Sequence, residues 1–113
     1  MAVITTLDVY GQTPEEYRAI MDELGVEKRA EPGIYLHVTT RTDFGFRIIE
    51  IWDEKEGFDR FLETRLTPAA EKLGMNSEIK ITVTPLHNLF GPRLDELPDL
   101  VSSLPGRPGS NGI

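Results

Sequence analysis

The chain has 113 residues, enough for one domain with a single core, and its 39% hydrophobic and 27% charged content is that of an ordinary soluble globular protein. A net charge of −7, with lysines and arginines scattered, argues against nucleic acid as a partner, and no run approaches the roughly 18 apolar residues of a membrane span. With no cysteine there can be no disulfide, thiolate metal site or cysteine nucleophile, and the missing signal-peptide layout makes cytoplasmic the expected location.

Residues 2–9 alternate loosely and are rich in β-branched side chains, which predicts a first strand with Val3, Thr5, Leu7 and Val9 on one face. Gly11-Gln12 ends it. Thr13 is then a good N-cap, Pro14 fits the first helical position, and Glu15 and Glu16 complement the helix dipole. Tyr17, Ile20, Met21 and Leu24 recur at helical spacing, and Gly25 can close the helix in a left-handed conformation.

A second strand is expected over residues 33–40, with Arg41-Thr-Asp-Phe44 as the turn into a third that ends at Trp52. Successive strand side chains alternate faces, so Ile49 and Ile51 point one way and Ile48, Glu50 and Trp52 the other. A turn of even length sets His37 opposite Ile48 and Tyr35 opposite Glu50, and gathers Tyr35, His37, Ile48, Glu50 and Trp52 on one face. A turn of odd length would move His37 to the other face.

The second helix begins near Asp53 or Glu54 and buries Phe58, Phe61, Leu62 and Leu66. Thr67-Pro68 is expected to break it, giving a kink or a new short helix to Leu73, closed by Gly74. Residues 78–85 alternate Ile79, Ile81 and Val83 against Lys80, Thr82 and Thr84, a fourth strand with one wet face and a possible irregular continuation to Phe90. Residues 1–90 thus form the domain and 91–113 an extension: Leu94 to Leu104 is apolar enough for a helical turn or two docked on the body or on a partner, and the last nine residues read as flexible.

The order β-α-β-β-α-β, with a short turn between the middle strands, is the α+β ferredoxin-like arrangement: a four-stranded antiparallel sheet with both helices on one face. Ile49 and Ile51 fall on the bare face, where exposure forfeits about 1.5 to 3 kcal/mol per large apolar side chain. Pairing of two sheets in a homodimer is the expected remedy.

Glu50-Ile-Trp52 followed by Asp53-Glu-Lys-Glu-Gly-Phe58 resembles the strand-to-helix passage E-x-W-x-S-x-x-x-F of the antibiotic-biosynthesis-monooxygenase-like (ABM) proteins of the dimeric α/β-barrel superfamily. Pro85-Leu-His-Asn-Leu89 resembles the end of the fourth strand in a set of small actinobacterial-type proteins. The resemblance spans roughly residues 2–90. It implies a dimeric α/β barrel, a ligand pocket between sheet and helices lined by Trp52, and chemistry drawn from cofactor-independent monooxygenases and cyclases of polyketide pathways, haem-degrading enzymes, isomerases or inactive members.

Glu50 needs a partner in a central apolar strand, and Arg47, Arg65 or Tyr35 are the candidates; a structural ion pair competes with a general-base role. His37 and His87 are candidate proton carriers, set against the reading of each as a satisfied core or interface residue. They lie on opposite sheet edges, which disfavours an iron triad with Glu50. Residues 54–73 hold no histidine for a haem, and no Gly-x-Gly-x-x-Gly motif suggests a nucleotide, so no cofactor is expected. The expected site is therefore His37, Glu50 and His87 for catalysis, with Trp52, Tyr35, Thr5, Tyr17, Phe58, Phe61 and Asn88 around a small aromatic or polyketide-like substrate. Tyr17, Phe58 and Phe61 have core spacing and are expected only to shape the walls. The alternatives are an isomerase or cyclase without oxygen chemistry, or a non-catalytic dimeric accessory protein.

Overall fold

Three stretches of alternating or β-branched sequence and one continuous apolar run become four antiparallel strands in the computed structural model, which describes residues 1–105. They are β1 (Val3–Tyr10), β2 (Ile34–Arg41), β3 (Gly45–Trp52) and β4 (Ile79–Pro85), in the order β2-β3-β1-β4. Helix α1 (Pro14–Leu24) connects β1 to β2, and α2 (Lys55–Phe61) and α3 (Thr67–Lys72) connect β3 to β4. This is the ferredoxin-like topology. No helix among the described residues is long and apolar enough to cross a membrane.

Helix α1 is closed at both ends by its own sequence. Thr13 and Glu16 form a reciprocal capping box, with the Glu16 N–H donating to Thr13 Oγ1 at 3.1 Å and the Thr13 N–H to Glu16 Oε1 at 3.0 Å. Gly25 terminates it at φ 67°. Between these caps Tyr17, Ile20, Met21 and Leu24 pack onto Val3, Leu7, Val9 and Phe46 of the sheet, with Trp52, Phe58 and Phe61 completing the core.

The β2–β3 hairpin corrects the expected register. Its turn is Asp43-Phe44 alone, closed between Thr42 and Gly45, so the pairing of β2 runs two residues further than expected while β3 starts where expected, and the register moves two places. His37 stands opposite Glu50 and Thr39 opposite Ile48. Because the slip is even, His37 keeps the face it shares with Glu50 and Trp52. Tyr35 does not meet Glu50: the ladder is irregular between Ile34 and Leu36, and Tyr35, the residue between them, is 69% exposed. Gly45 is obligatory, since at φ 145° a Cβ there would lie 2.2 Å from the Val9 carbonyl oxygen.

Thr67-Pro68 does not break the second helix. Residues Leu62–Leu66 form a π-helical turn joining α2 to α3, in which the Thr67 N–H donates to Leu62 O. Pro68 has no N–H to give to the preceding turn, and the widened turn absorbs that loss.

On the face away from the helices the register places Ile4, Ile51 and Leu36 in one row, Thr6, Ile49 and Val38 in the next, and Asp8, Arg47 and Thr40 in the third. The expected exposure of Ile51 is corrected, because only 7% of it is accessible in the single chain; Val38, at 47%, is the exposed aliphatic residue of this face. Arg47 pairs with Asp8 here at 2.7 Å rather than with Glu50. Beyond β4 the strand does not continue. After the Leu86 N–H donates to the Ala2 carbonyl the chain leaves the sheet, and a 3₁₀ turn Leu94–Glu96 leads into α4 (Leu97–Ser102). Leu89, Phe90, Leu94, Leu100 and Leu104 are exposed on this extension. The flexibility expected of the last nine residues falls, from 106 on, outside the described residues.

Candidate active site

Glu50 is the residue from which the site is built. It lies 7% exposed in a central strand, between Thr5 on β1 and His37 on β2. A carboxylate placed there without partners costs several kcal/mol. Neither Arg47, Arg65 nor Tyr35 supplies the partner: Arg65 pairs with Glu31 and with the Leu24 carbonyl. Two ring N–H groups do so instead. Trp52 Nε1–H donates to Glu50 Oε1 at 3.0 Å, and His37 Nδ1–H donates to Glu50 Oε2 at 2.8 Å. The tautomer follows from the network, since an acceptor-only carboxylate places the proton on Nδ1 and leaves Nε2 of the neutral ring free to accept.

Nε2 is met by Tyr17, whose hydroxyl lies 2.8 Å away and donates to it. The chain of hydrogen bonds is therefore Trp52–Glu50–His37–Tyr17, drawn from β3, β2 and α1. Phe46 stacks on the Tyr17 ring at 5.2 Å, and Phe58 and Phe61 pack on the indole at 5.9 and 5.6 Å, so both ends are held by aromatic contacts. Burial raises the Tyr17 pKa above its usual value of 10.0; the Thr39 hydroxyl opposes this, and the charges of Glu27 and Glu50 reinforce it. Tyr17 is therefore a hydroxyl donor at neutral pH and no base.

The network faces a cavity of about 270 Å³ under α1 and the connection that follows it. Leu7, Ile20, Met21, Leu24, Ile48 and Phe61 make its apolar wall, and Tyr17, His37, Glu50 and Trp52 its polar end. The volume is near the lower bound of small-molecule sites, about 300 to 1,000 Å³, and the composition is typical of them: mostly apolar, with a few convergent polar groups.

Of the expected site residues, Tyr17, Tyr35, His37, Glu50, Trp52 and Phe61 border this cavity. Phe58 lies behind Trp52, 1% exposed, and supports it edge-on. Thr5 is fully buried beside Glu50, and its hydroxyl has no partner among the described residues. His87 and Asn88 are exposed past the end of β4 and are not brought to the cavity within one chain. The role of Tyr17 as the partner of His37 was missed. Its signal was a phenol in an otherwise aliphatic helix stripe, because a buried tyrosine needs somewhere to send its hydroxyl. Among the described residues no group of three or more His, Asp or Glu side chains is placed to hold a metal ion.

No protein-family model matches this sequence, and no curated protein matches it significantly. Solved structures do. The oxygenase SnoaB of Streptomyces nogalater, a cofactor-independent enzyme, aligns in a mutant form with a TM-score of 0.57 at 18% identity, over 79% of this chain and 95% of that one. A candidate antibiotic biosynthesis monooxygenase from Deinococcus radiodurans aligns at 0.59 and 19%, over 80% and 97%. A de novo designed protein, Foldit4, aligns at 0.54 and 23%, over 77% and 100%, so backbone shape alone selects no reaction. The chain thus has the ferredoxin-like fold of ABM-type oxygenases, at identities that establish the architecture and leave the chemistry to the residues of the site.

Proposed function

We propose that this protein is a small-molecule enzyme that removes a proton from an enolisable carbon of an aromatic or polyketide-like substrate, without a cofactor of its own. The supporting observation is the hydrogen-bonded series Trp52–Glu50–His37–Tyr17 ending at an apolar cavity. In this reading the substrate carbonyl displaces His37 from the Tyr17 hydroxyl. His37 Nε2 then takes the C–H proton, the electron pair moves onto the carbonyl oxygen, and Tyr17 donates to the resulting enolate. Glu50 holds the ring and stabilises the imidazolium, and Trp52 fixes Glu50. Molecular oxygen as co-substrate would add to the carbanion, and the hydroperoxide formed after protonation would lose water to give a ketone. Isomerisation or cyclisation would share the first step. The likeness to cofactor-independent oxygenases favours the oxygen-dependent branch.

A homodimer formed through the open sheet face belongs to the same proposal. Val38 is exposed there, and Ile4, Leu36 and Ile49 are only partly covered in the single chain. A non-catalytic binding protein is the second reading, favoured by the pairing of both ring nitrogens of His37 with protein groups.

Hydrogen–deuterium exchange at the α-carbon of 1-tetralone, followed by NMR in D₂O, separates the two. The catalytic reading expects exchange above the buffer rate that falls roughly 10²-fold or more in His37→Ala. Wild-type protein that does not accelerate exchange, or a fully active His37→Ala, removes proton transfer by His37. An oxygen electrode run with the same ketone distinguishes oxygenation from isomerisation.

A further inference from the structure

The inner and outer walls of the cavity are built differently. Leu7, Tyr17, Ile20, Met21, Glu50 and Trp52 are buried, whereas Val26, Glu27, Ala30, Glu31, Ile34 and Tyr35 are partly or fully exposed. Those six all belong to one stretch, residues 26–35, so solvent reaches the cavity wall along the connection between α1 and β2.

The backbone of this connection is not paired with the sheet. Between Gly25, where α1 ends, and Gly33, whose carbonyl accepts from the Asp53 N–H at 2.9 Å, its hydrogen bonds are local turns. The Lys28 and Arg29 N–H groups donate to the Gly25 carbonyl and the Ile34 N–H to that of Glu31. Val26 and Ile34 pack on the core, so residues 28–32 are the span held by neither ladder nor core. Segments of this kind open locally at a lower free energy than the body they cover.

Side chains fasten it instead. Glu27, just ahead of the span, pairs with Arg18 of α1, and Glu31, within it, pairs with Arg65 of the π-helical turn. Arg65 has other supports: its Nη2 donates to the Leu24 carbonyl at 2.7 Å, and its guanidinium carbon lies 6.0 Å from the centre of the Phe61 ring in the cavity wall. Release of Glu31 therefore leaves the arginine seated on α1 and Phe61 and frees only the connection. An ion pair between partly exposed groups is weak and is screened by salt, which suits a fastening that must open.

We propose that residues 28–32 are a lid over the cavity and that the Arg65–Glu31 pair is its latch, open to admit a ligand and closed while the ligand is held. This rests on that cavity being the site of the proposed function, where a closed lid keeps water from the carbanion.

Trp52 is the only tryptophan of the chain, lines the cavity and is 1% exposed. Quenching of its fluorescence by acrylamide, an uncharged probe, therefore reads opening without substrate or turnover. Quenching of the wild type is expected to be weak at low salt and to rise roughly 3-fold in Glu31→Gln and in Arg65→Gln. Sodium chloride at about 1 M should raise wild-type quenching by a similar factor and leave Glu31→Gln unchanged. Lys72→Gln, which removes the surface pair with Glu23 between α3 and α1, should have no effect. The latch is overturned by Glu31→Gln quenched as weakly as the wild type, by a rise confined to Arg65→Gln, by a wild type indifferent to salt, or by an equal rise in Lys72→Gln. Wild-type quenching as strong as that of N-acetyltryptophanamide in water overturns the lid itself. Ketone exchange stays a separate measurement, so failure of the lid and failure of the proposed proton transfer are seen independently.

Discussion

Two carboxylates sit on adjacent central strands of this sheet, equally hidden and oppositely handled. Asp8 on β1 points to the open face and Glu50 on β3 to the helices, at 8% and 7% exposure. Asp8 is held by a guanidinium, with Arg47 Nε donating to Oδ1 at 2.7 Å and Nη2 to Oδ2 at 3.1 Å, a fork whose charge never changes in the working pH range. Glu50 is held by an indole and an imidazole, and the second nitrogen of that imidazole meets the Tyr17 hydroxyl. The Asp8 pair can only hold strands together. The Glu50 pair holds strands together and also borders a cavity, to which the proposed mechanism has it deliver a proton.

The sharpest test of that contrast is a matched pair of isosteric changes. Glu50→Gln should lower the ketone exchange rate roughly 10²-fold, because the amide no longer fixes the His37 tautomer or supports its charged form. Asp8→Asn should leave the rate unchanged. Equal losses in both would mean that Glu50, like Asp8, is structural.

The assembly of the open face is tested next. Val38→Asp places a charge in the exposed apolar row while leaving the helix side untouched, and should convert dimer to monomer in sedimentation. A persistent dimer would place the contact elsewhere.

The smallest effects are in the pH dependence of stability. The hydrogen bond and charge of Arg47 lower the Asp8 pKa from 3.8, so its stabilising contribution is present above about pH 4 and disappears as the pH falls through the lowered value. For Tyr17 the sign reverses. Its pKa is raised above 10.0, so the folded protein keeps the contribution up to about pH 10 and loses it as the pH rises further. Urea titrations across pH should therefore show an acid limb missing in Asp8→Asn and an alkaline limb missing in Tyr17→Phe. Survival of either limb in its variant would break the assignment.

The strand and helix order was legible in the chain because caps, glycines and alternation agree at every junction. Thr13, Pro14 and Gly25 bound α1 as expected, and the apolar run before Trp52 became the central strand β3. The site was legible by face and not by contact. Parity alone puts His37 beside Glu50, whereas the actual pairing depends on where the hairpin closes, a choice between turns that the residues 41–45 leave open. The lone phenol of the α1 stripe signals that Tyr17 needs a partner, but that the partner is His37 depends on where α1 settles, a tertiary fact. The π-turn before Pro68 was likewise hidden, since proline announces a lost hydrogen bond without saying whether the helix breaks or widens.

The Asp43-Phe44 turn has a bearing on how this protein could diverge. Surface loop tips are ordinarily where chains gain and lose residues at little cost. Here a single added amino acid must be swallowed by the tip itself, for if it entered the ladder it would rotate the imidazole out to the opposite side of the sheet, separated from its carboxylate by the backbone. Homologues that retain the Tyr-His-Glu-Trp network should accordingly take up any odd change in hairpin length within the tip and leave the ladder beyond it unchanged.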